Sequence, residues 1–209
     1  MKAFLQLTVA MVVLVVAGCR KNPLNNLTEE EQRIYITNYD KTTRFNTFTS
    51  FSISDRITVV DNNNSRQQLT PADQALIQSL SRGLQSRGFR TATSATAADL
   101  GVQVSRIVRT TTGFVTGPDY WGMWDPGFWG YNSWGSGFGG GWGPGFTTVM
   151  PYEVREGMLA IDIIDLKSSS GNPRIVWNAL VRGPGLASPA TVDNIVENLL
   201  KQSPYLQTN

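Results

Sequence analysis

Histidine is absent from the 209 residues, and cysteine occurs once, at Cys19. These two shortages exclude His/Cys zinc sites, Cys-His nucleophiles and Ser-His-Asp triads. Charge is scarce as well. Eighteen basic and 16 acidic residues give a formal net charge of +2, without the basic stripe that nucleic-acid binding calls for. Long apolar runs are also missing: Ala3 to Val16, broken by Gln6 and Thr8, is shorter than the roughly 20 residues that cross a bilayer core. The expectation is therefore a protein that is not an enzyme, holds no metal or cofactor, and does not bind nucleic acid.

What is present at the N-terminus is MKAFLQLTVAMVVLVVAGCR. Lys2, the apolar run and the small residues after it have the proportions of a signal peptide. The plainer reading is an ordinary secretory signal. Val16-Ala17-Gly18-Cys19 resembles the lipobox of bacterial lipoproteins, with Val16 where leucine is more usual. That resemblance implies loss of residues 1–18 and a diacylglycerol on the Cys19 sulfur. It also implies a further acyl chain, such as palmitate, on the new amine. One acyl chain holds a protein weakly, whereas each buried CH₂ adds ~0.8 kcal/mol, so two or three chains anchor it stably. Arg20, rather than aspartate, points to the outer membrane. No acidic cluster follows Cys19, which favours the periplasmic face.

Residues 19–32 read as a lipidated N-terminus and polar tether, in which Thr28, with Glu31 at the capping-box position, can open a short helix. Residues 33–209 read as a single domain. Ile34 and Ile36 alternate with polar neighbours, giving a strand over 33–39. Residues 48–60 form a second, and Asp61 to Ser65 a polar turn. Thr70-Pro71-Ala72-Asp73 opens a helix, with Leu76, Ile77, Leu80 and Leu84 at helical spacing and Gly88 closing it. Strands follow over 99–109, 158–166 and 174–182, the last two forming a hairpin. Ser188-Pro189 opens a final helix carrying Val192, Ile195, Val196, Leu199 and Leu200 on one face. The fold class is α+β: a two-layer sandwich of about five mostly antiparallel strands with two helices on one face.

From Tyr39 onward the pattern YDxxxxFxxFxxF, carried by Tyr39, Asp40, Phe45, Phe48 and Phe51, resembles the opening of the bacterial lipoproteins grouped as domain of unknown function 4136. Arg87-Gly88-Phe89, Asp99-Leu100-Gly101-Val102, a Gly/Trp/Tyr-rich insert, the run Gly157 to Asp165 and Ile175-Val176-Trp177 agree in the same order. The resemblance covers roughly residues 34–203. It implies a lipidated envelope protein with this fold, and it supplies no activity. Asn178 follows Trp177 where relatives often carry arginine, which removes support for a functional arginine there.

Candidate sites are few. Asp162 and Asp165 fall on opposite faces of one strand, unlike carboxylates that act together across a glycosidic bond. Asp162 is expected to pair with Arg174 or Arg182 across the hairpin. Asp40 suits a turn cap. Gly135-Ser136-Gly137-Phe138-Gly139-Gly140 fits G-x-G-x-x-G, but the strand and helix that give that motif its chemistry are not evident around it.

The insert 113–146 holds 12 of the 20 glycines, 11 of the 21 aromatic residues and five of the six tryptophans. Burying its rings and ordering its glycines involve free energies of similar size, so what the insert touches would decide its structure. The plainest reading is a strand connector. Tyr120, Trp121, Trp124, Trp129, Trp134 and Trp142 are the candidate contacts for another envelope protein or for a glycan such as peptidoglycan. The sequence thus predicts a lipid-anchored envelope protein with a non-catalytic interaction or maintenance role, and a glycan-binding module as the alternative.

Overall fold

The computed structural model describes residues 27–62, 64–94, 97–109, 114–116, 153–155, 157–167 and 174–208. The chain divides into two compact units, Met1–Gln32 and Arg33–Asn209. In the described part of the first, Glu31 N–H donates to Thr28 Oγ1 at 3.3 Å and Thr28 N–H donates to Glu31 Oε2 at 2.8 Å. The expected capping-box pair closes a turn there and opens no helix.

The second unit is built on an eight-stranded sheet. Its strands are β1 (Ile34–Tyr39), β2 (Ser50–Ile53), β3 (Ile57–Asp61), β4 (Asn64–Gln68), β5 (Arg90–Thr91), β6 (Leu100–Arg109), β9 (Met158–Asp165) and β10 (Arg174–Arg182). A separate two-stranded sheet pairs β7 (Phe114–Thr116) with β8 (Glu153–Arg155). The helices are α1 (Pro71–Ser86) and α2 (Val192–Lys201).

Along the path β1-β10-β9-β6 every pairing is antiparallel, as the 158–182 hairpin required. Beyond β6 the sheet departs from the sequence reading. β2 and β3 both lie along the other edge of β6, end to end and parallel to it, with Phe51 beside Leu100 and Val60 beside Ile107. The single strand expected over 48–60 is thus two segments, interrupted at Ser54–Arg56. Parallel neighbours need a long crossover, and the segment carrying α1 supplies it. The polar turn at 61–65 is the tip of a β3–β4 hairpin. Its second strand, NSRQQ, is nearly all exposed, so no apolar alternation marked it.

The core lies between one face of the sheet and the two helices. Leu76, Leu80 and Leu84 of α1 and Ile195, Val196 and Leu199 of α2 cluster with Val102, Val104, Leu159, Ile161, Ile163, Ala179 and Val181. Phe45, Phe48 and Phe51 all join this cluster. Phe45 does so from a 3-10 turn, Phe45–Thr47, ahead of β2. β9 is buried along its whole length, which explains why apolar residues occupy both of its faces on either side of Asp162. A central strand covered on both faces has no need to alternate.

Helix ends follow local chemistry. Thr70 and Asp73 form the reciprocal capping box, with Pro71 in the first turn. α2 begins after Thr191 and not at Ser188-Pro189, because Pro189 lies in a turn where Thr191 Oγ1 donates to the Gly185 carbonyl at 2.6 Å. The helices approach closely at Gly83, where an added Cβ would stand 2.7 Å from Leu200 Cδ1.

At the end of α1, Gly88 N–H donates to the Gln85 carbonyl and Phe89 N–H to that of Leu84, the Schellman pattern. Gly88 has φ +92°, and a Cβ there would lie 2.0 Å from Thr208 Oγ1. Thr208 N–H in turn donates to the Arg87 carbonyl at 3.0 Å. Gly88→Ala should therefore lose about 1–2 kcal/mol to the left-handed backbone alone, and more from displacing the C-terminal segment. A urea melt with an unchanged midpoint would contradict this.

Candidate functional site

A row of polar side chains crosses the sheet on the face turned away from α1 and α2. Its members follow from register: Asn38 of β1 stands beside Asn178 of β10, Asn178 beside Asp162 of β9, and Asp162 beside Gln103 of β6. Their neighbours along each strand alternate into the helix-side core. Asp162, Asn178 and Gln103 have no exposed surface. Asn178 Nδ2 donates to Asp162 Oδ1. Gln103 Nε2 donates to Thr58 Oγ1 at 2.8 Å and to the Val104 carbonyl at 3.1 Å. Gln67 Nε2 reaches the same Thr58 hydroxyl at 3.2 Å, which carries the row onto β3 and β4.

Gln103 Oε1, Asn178 Oδ1 and the nearby Ser105 Oγ remain buried without a hydrogen-bond partner among the described residues. An orphaned buried acceptor costs about 1–3 kcal/mol, so stability alone does not account for amides where valine would pack. The row is closed to solvent at Gln103, Ser105, Asp162 and Asn178. With one carboxylate in it, it does not form the acid–base pair of a hydrolase.

The other carboxylates are tied into the architecture. Asp40 accepts from Thr42 N–H at 2.9 Å and from the hydroxyls of Thr42 and Thr43, the turn-capping role read from sequence. Its Oδ2 lies 3.0 Å from Arg174 Nη1, and Arg174 Nη2 is 3.7 Å from Asp165. Arg174 thus joins Asp40 to Asp165, its register neighbour, rather than pairing with Asp162. Arg182 stands opposite Met158. Asp162 lies on the opposite face from Asp165, so the three aspartates do not share a cleft.

Two further aspartates, read from the sequence only as a helix-start acid (Asp73) and a motif residue (Asp99), make long-range contacts that the sequence did not reveal. Asp99 Oδ2 accepts from Thr49 N–H at 2.7 Å and Ser50 N–H at 3.3 Å, while Asp99 N–H donates to Ser50 Oγ. This clamps the start of β2 to the start of β6. The available signal was its place at the head of the Asp99-Leu100-Gly101-Val102 motif. Asp73 accepts from Thr70 N–H at 2.8 Å and from Arg106 Nη2 at 2.6 Å, joining α1 to the sheet.

Burial raises the pKa of Asp40, Asp73 and Asp99, but hydrogen bonds and neighbouring cations outweigh it. Thr42 and Thr43 donate to Asp40 beside the Arg174 charge, Thr70 and Arg106 donate to Asp73, and Thr49 and Ser50 donate to Asp99 beside the Lys167 charge. All three fall below the ordinary carboxylate value.

Cys19, the lipobox, Tyr120, Trp121, Trp124, Trp129, Trp134, Trp142 and the glycine motif at 135–140 lie outside the described residues. Among the described residues no helix is long and apolar enough to cross a membrane.

The fold resembles the crystal structure of a DUF4136 family protein from Bacteroides thetaiotaomicron. The TM-score is 0.67 and the identity 25%, over 85% of this chain and 99% of that one. A weaker likeness, with TM-score 0.41 and 15% identity over 83% of this chain and 36% of the other, is to a PDZ domain protein from Parabacteroides distasonis. No curated protein matches the chain. The sequence profile described as Domain of unknown function (DUF4136) matches residues 36–205, and the chain belongs to that family.

Proposed function

We propose that this chain is a lipid-anchored, non-catalytic interaction protein of the bacterial envelope, held through Cys19 at the periplasmic face of the outer membrane. The observation that carries the non-catalytic part is how the carboxylates are used. Asp40, Asp73 and Asp99 are bound by backbone N–H groups and cations and held below their ordinary pKa. A general acid working near neutral pH needs the opposite shift. The anchoring part rests on the lipobox-like Val16–Cys19.

Cys19→Ser should abolish acyl labelling and move the protein out of the detergent phase. A mutant that still partitions with detergent, beside an unlabelled wild type, would overturn the anchor. In-cell crosslinking followed by co-purification tests the interaction role, and capture of no partner would count against it.

Glycan binding is the second reading. The five tryptophans of the insert favour it, since their rings suit stacking on sugar faces. Retention on purified sacculi that is lost in Trp121→Ala and Trp124→Ala variants would select it over a protein partner.

A further inference from the structure

We propose that β1 is a pairing edge through which two copies of this chain join into one continuous sheet. Among the described residues β1 is the last strand on its side, with β10 as its neighbour. Just past the strand, Asp40 N–H donates to the Val176 carbonyl at 3.0 Å. The two-residue period of an antiparallel ladder then turns the backbone groups of Ile34, Ile36 and Asn38 toward β10, and those of Tyr35, Thr37 and Tyr39 outward.

This edge lacks the usual protections. Ile34–Tyr39 reads IYITNY, with no charge and no proline, and its register with β10 runs without a bulge. Edge strands are normally blunted by such features. Ile34 and Ile36 are 56% and 43% exposed. A lone exposed isoleucine is ordinary. Two in line on an unprotected edge form a template for another strand.

A second copy fits the edge by self-complementarity. An antiparallel partner continues the order of β1, β10, β9 and β6. A two-fold axis through Ile36 sets Ile36 against Ile36, Tyr35 against Thr37, and Ile34 against Asn38. The outward backbone groups then meet as hydrogen-bonded pairs. The two Ile36 residues meet at a non-hydrogen-bonded position, with Cα atoms about 4.5 Å apart. Ile34 of each copy lies diagonal to Ile36 of the other, within side-chain reach. The strand is uncharged, so self-pairing meets no repulsion along it. Moving the axis one residue toward the C-terminus would instead set Ile34 against Asp40.

The inference rests on the interaction reading and names its partner, so the test separates the two. Ile36→Cys in the full chain, oxidised with copper phenanthroline in intact membranes, should give a disulfide-linked band at twice the chain mass on a non-reducing gel. Wild type, with Cys19 alone, and Leu69→Cys, exposed elsewhere at 50%, should not. Ile36→Lys should return the detergent-solubilised full chain to a monomer by light scattering, with an unchanged circular dichroism spectrum. An Ile36→Cys yield no higher than that of Leu69→Cys, or association that survives Ile36→Lys, would overturn the dimer. An Ile36→Cys adduct at some other mass would also overturn it, while leaving the interaction reading standing.

Discussion

Replacing Asp73 with alanine should destabilise the fold by about 3–5 kcal/mol, the range for breaking a buried ion pair by removing one partner. Three losses coincide. The Thr70 N–H loses its acceptor at the start of α1, and the Gln68 amide loses its contact at 3.3 Å. Arg106, only 16% exposed along its side chain, is left without its carboxylate. The second substitution Arg106→Leu should recover part of the deficit, because it removes the stranded charge. A loss below about 1 kcal/mol for Asp73→Ala in urea melts would show that Arg106 reaches water instead.

The same residue predicts the acid response. Asp40, Asp73 and Asp99 have folded pKa values below their unfolded value, which is about 3.9. Their contribution is complete above the unfolded value and is lost as pH falls through the folded ones. Stability should hold from about pH 5 upward and decline below about pH 4, less steeply in Asp73→Ala. A melting temperature that rises on acidification would contradict this assignment.

Trp177→Ala should cost about 3–5 kcal/mol, a fall in melting temperature on the order of 10 °C for a chain of this size. Trp177 is 2% exposed, lies between Tyr39 and Ile163 in register, and belongs to the main core. Its indole Nε1 donates to Ser203 Oγ at 2.9 Å, and the Ser203 carbonyl accepts from Arg87 Nη1 at 3.1 Å. One ring thus joins the sheet to the C-terminal turn that also receives the end of α1. Trp177→Phe separates packing from hydrogen bonding: it keeps most of the volume and should lose only about 1 kcal/mol for the missing donor. Equal losses in the two variants would show that the hydrogen bond, and not the cavity, dominates.

By itself the sequence determined whatever depends on neighbours along the chain. The capping box of α1, the Gly88 stop, the buried run of β9, the β9–β10 hairpin and the Asp40 turn are all set by residues a few positions apart, where spacing and side-chain chemistry are sufficient. The family was legible too, because its motifs keep their order.

Only the tertiary structure decided pairings between distant segments. The parallel docking of β2 and β3 on β6 depends on a crossover whose direction no local pattern encodes. β4 has no apolar alternation of its own and takes its register from β3. Arg174 chose Asp40 and Asp165 over Asp162 because strand alternation places Asp162 on the opposite face, and Asp40 enters from the turn that follows β1. The polar row is the clearest case. Asn38, Asp162, Asn178 and Gln103 are unremarkable residues on four separate strands, and only sheet register, which is long-range, lines them up on one face.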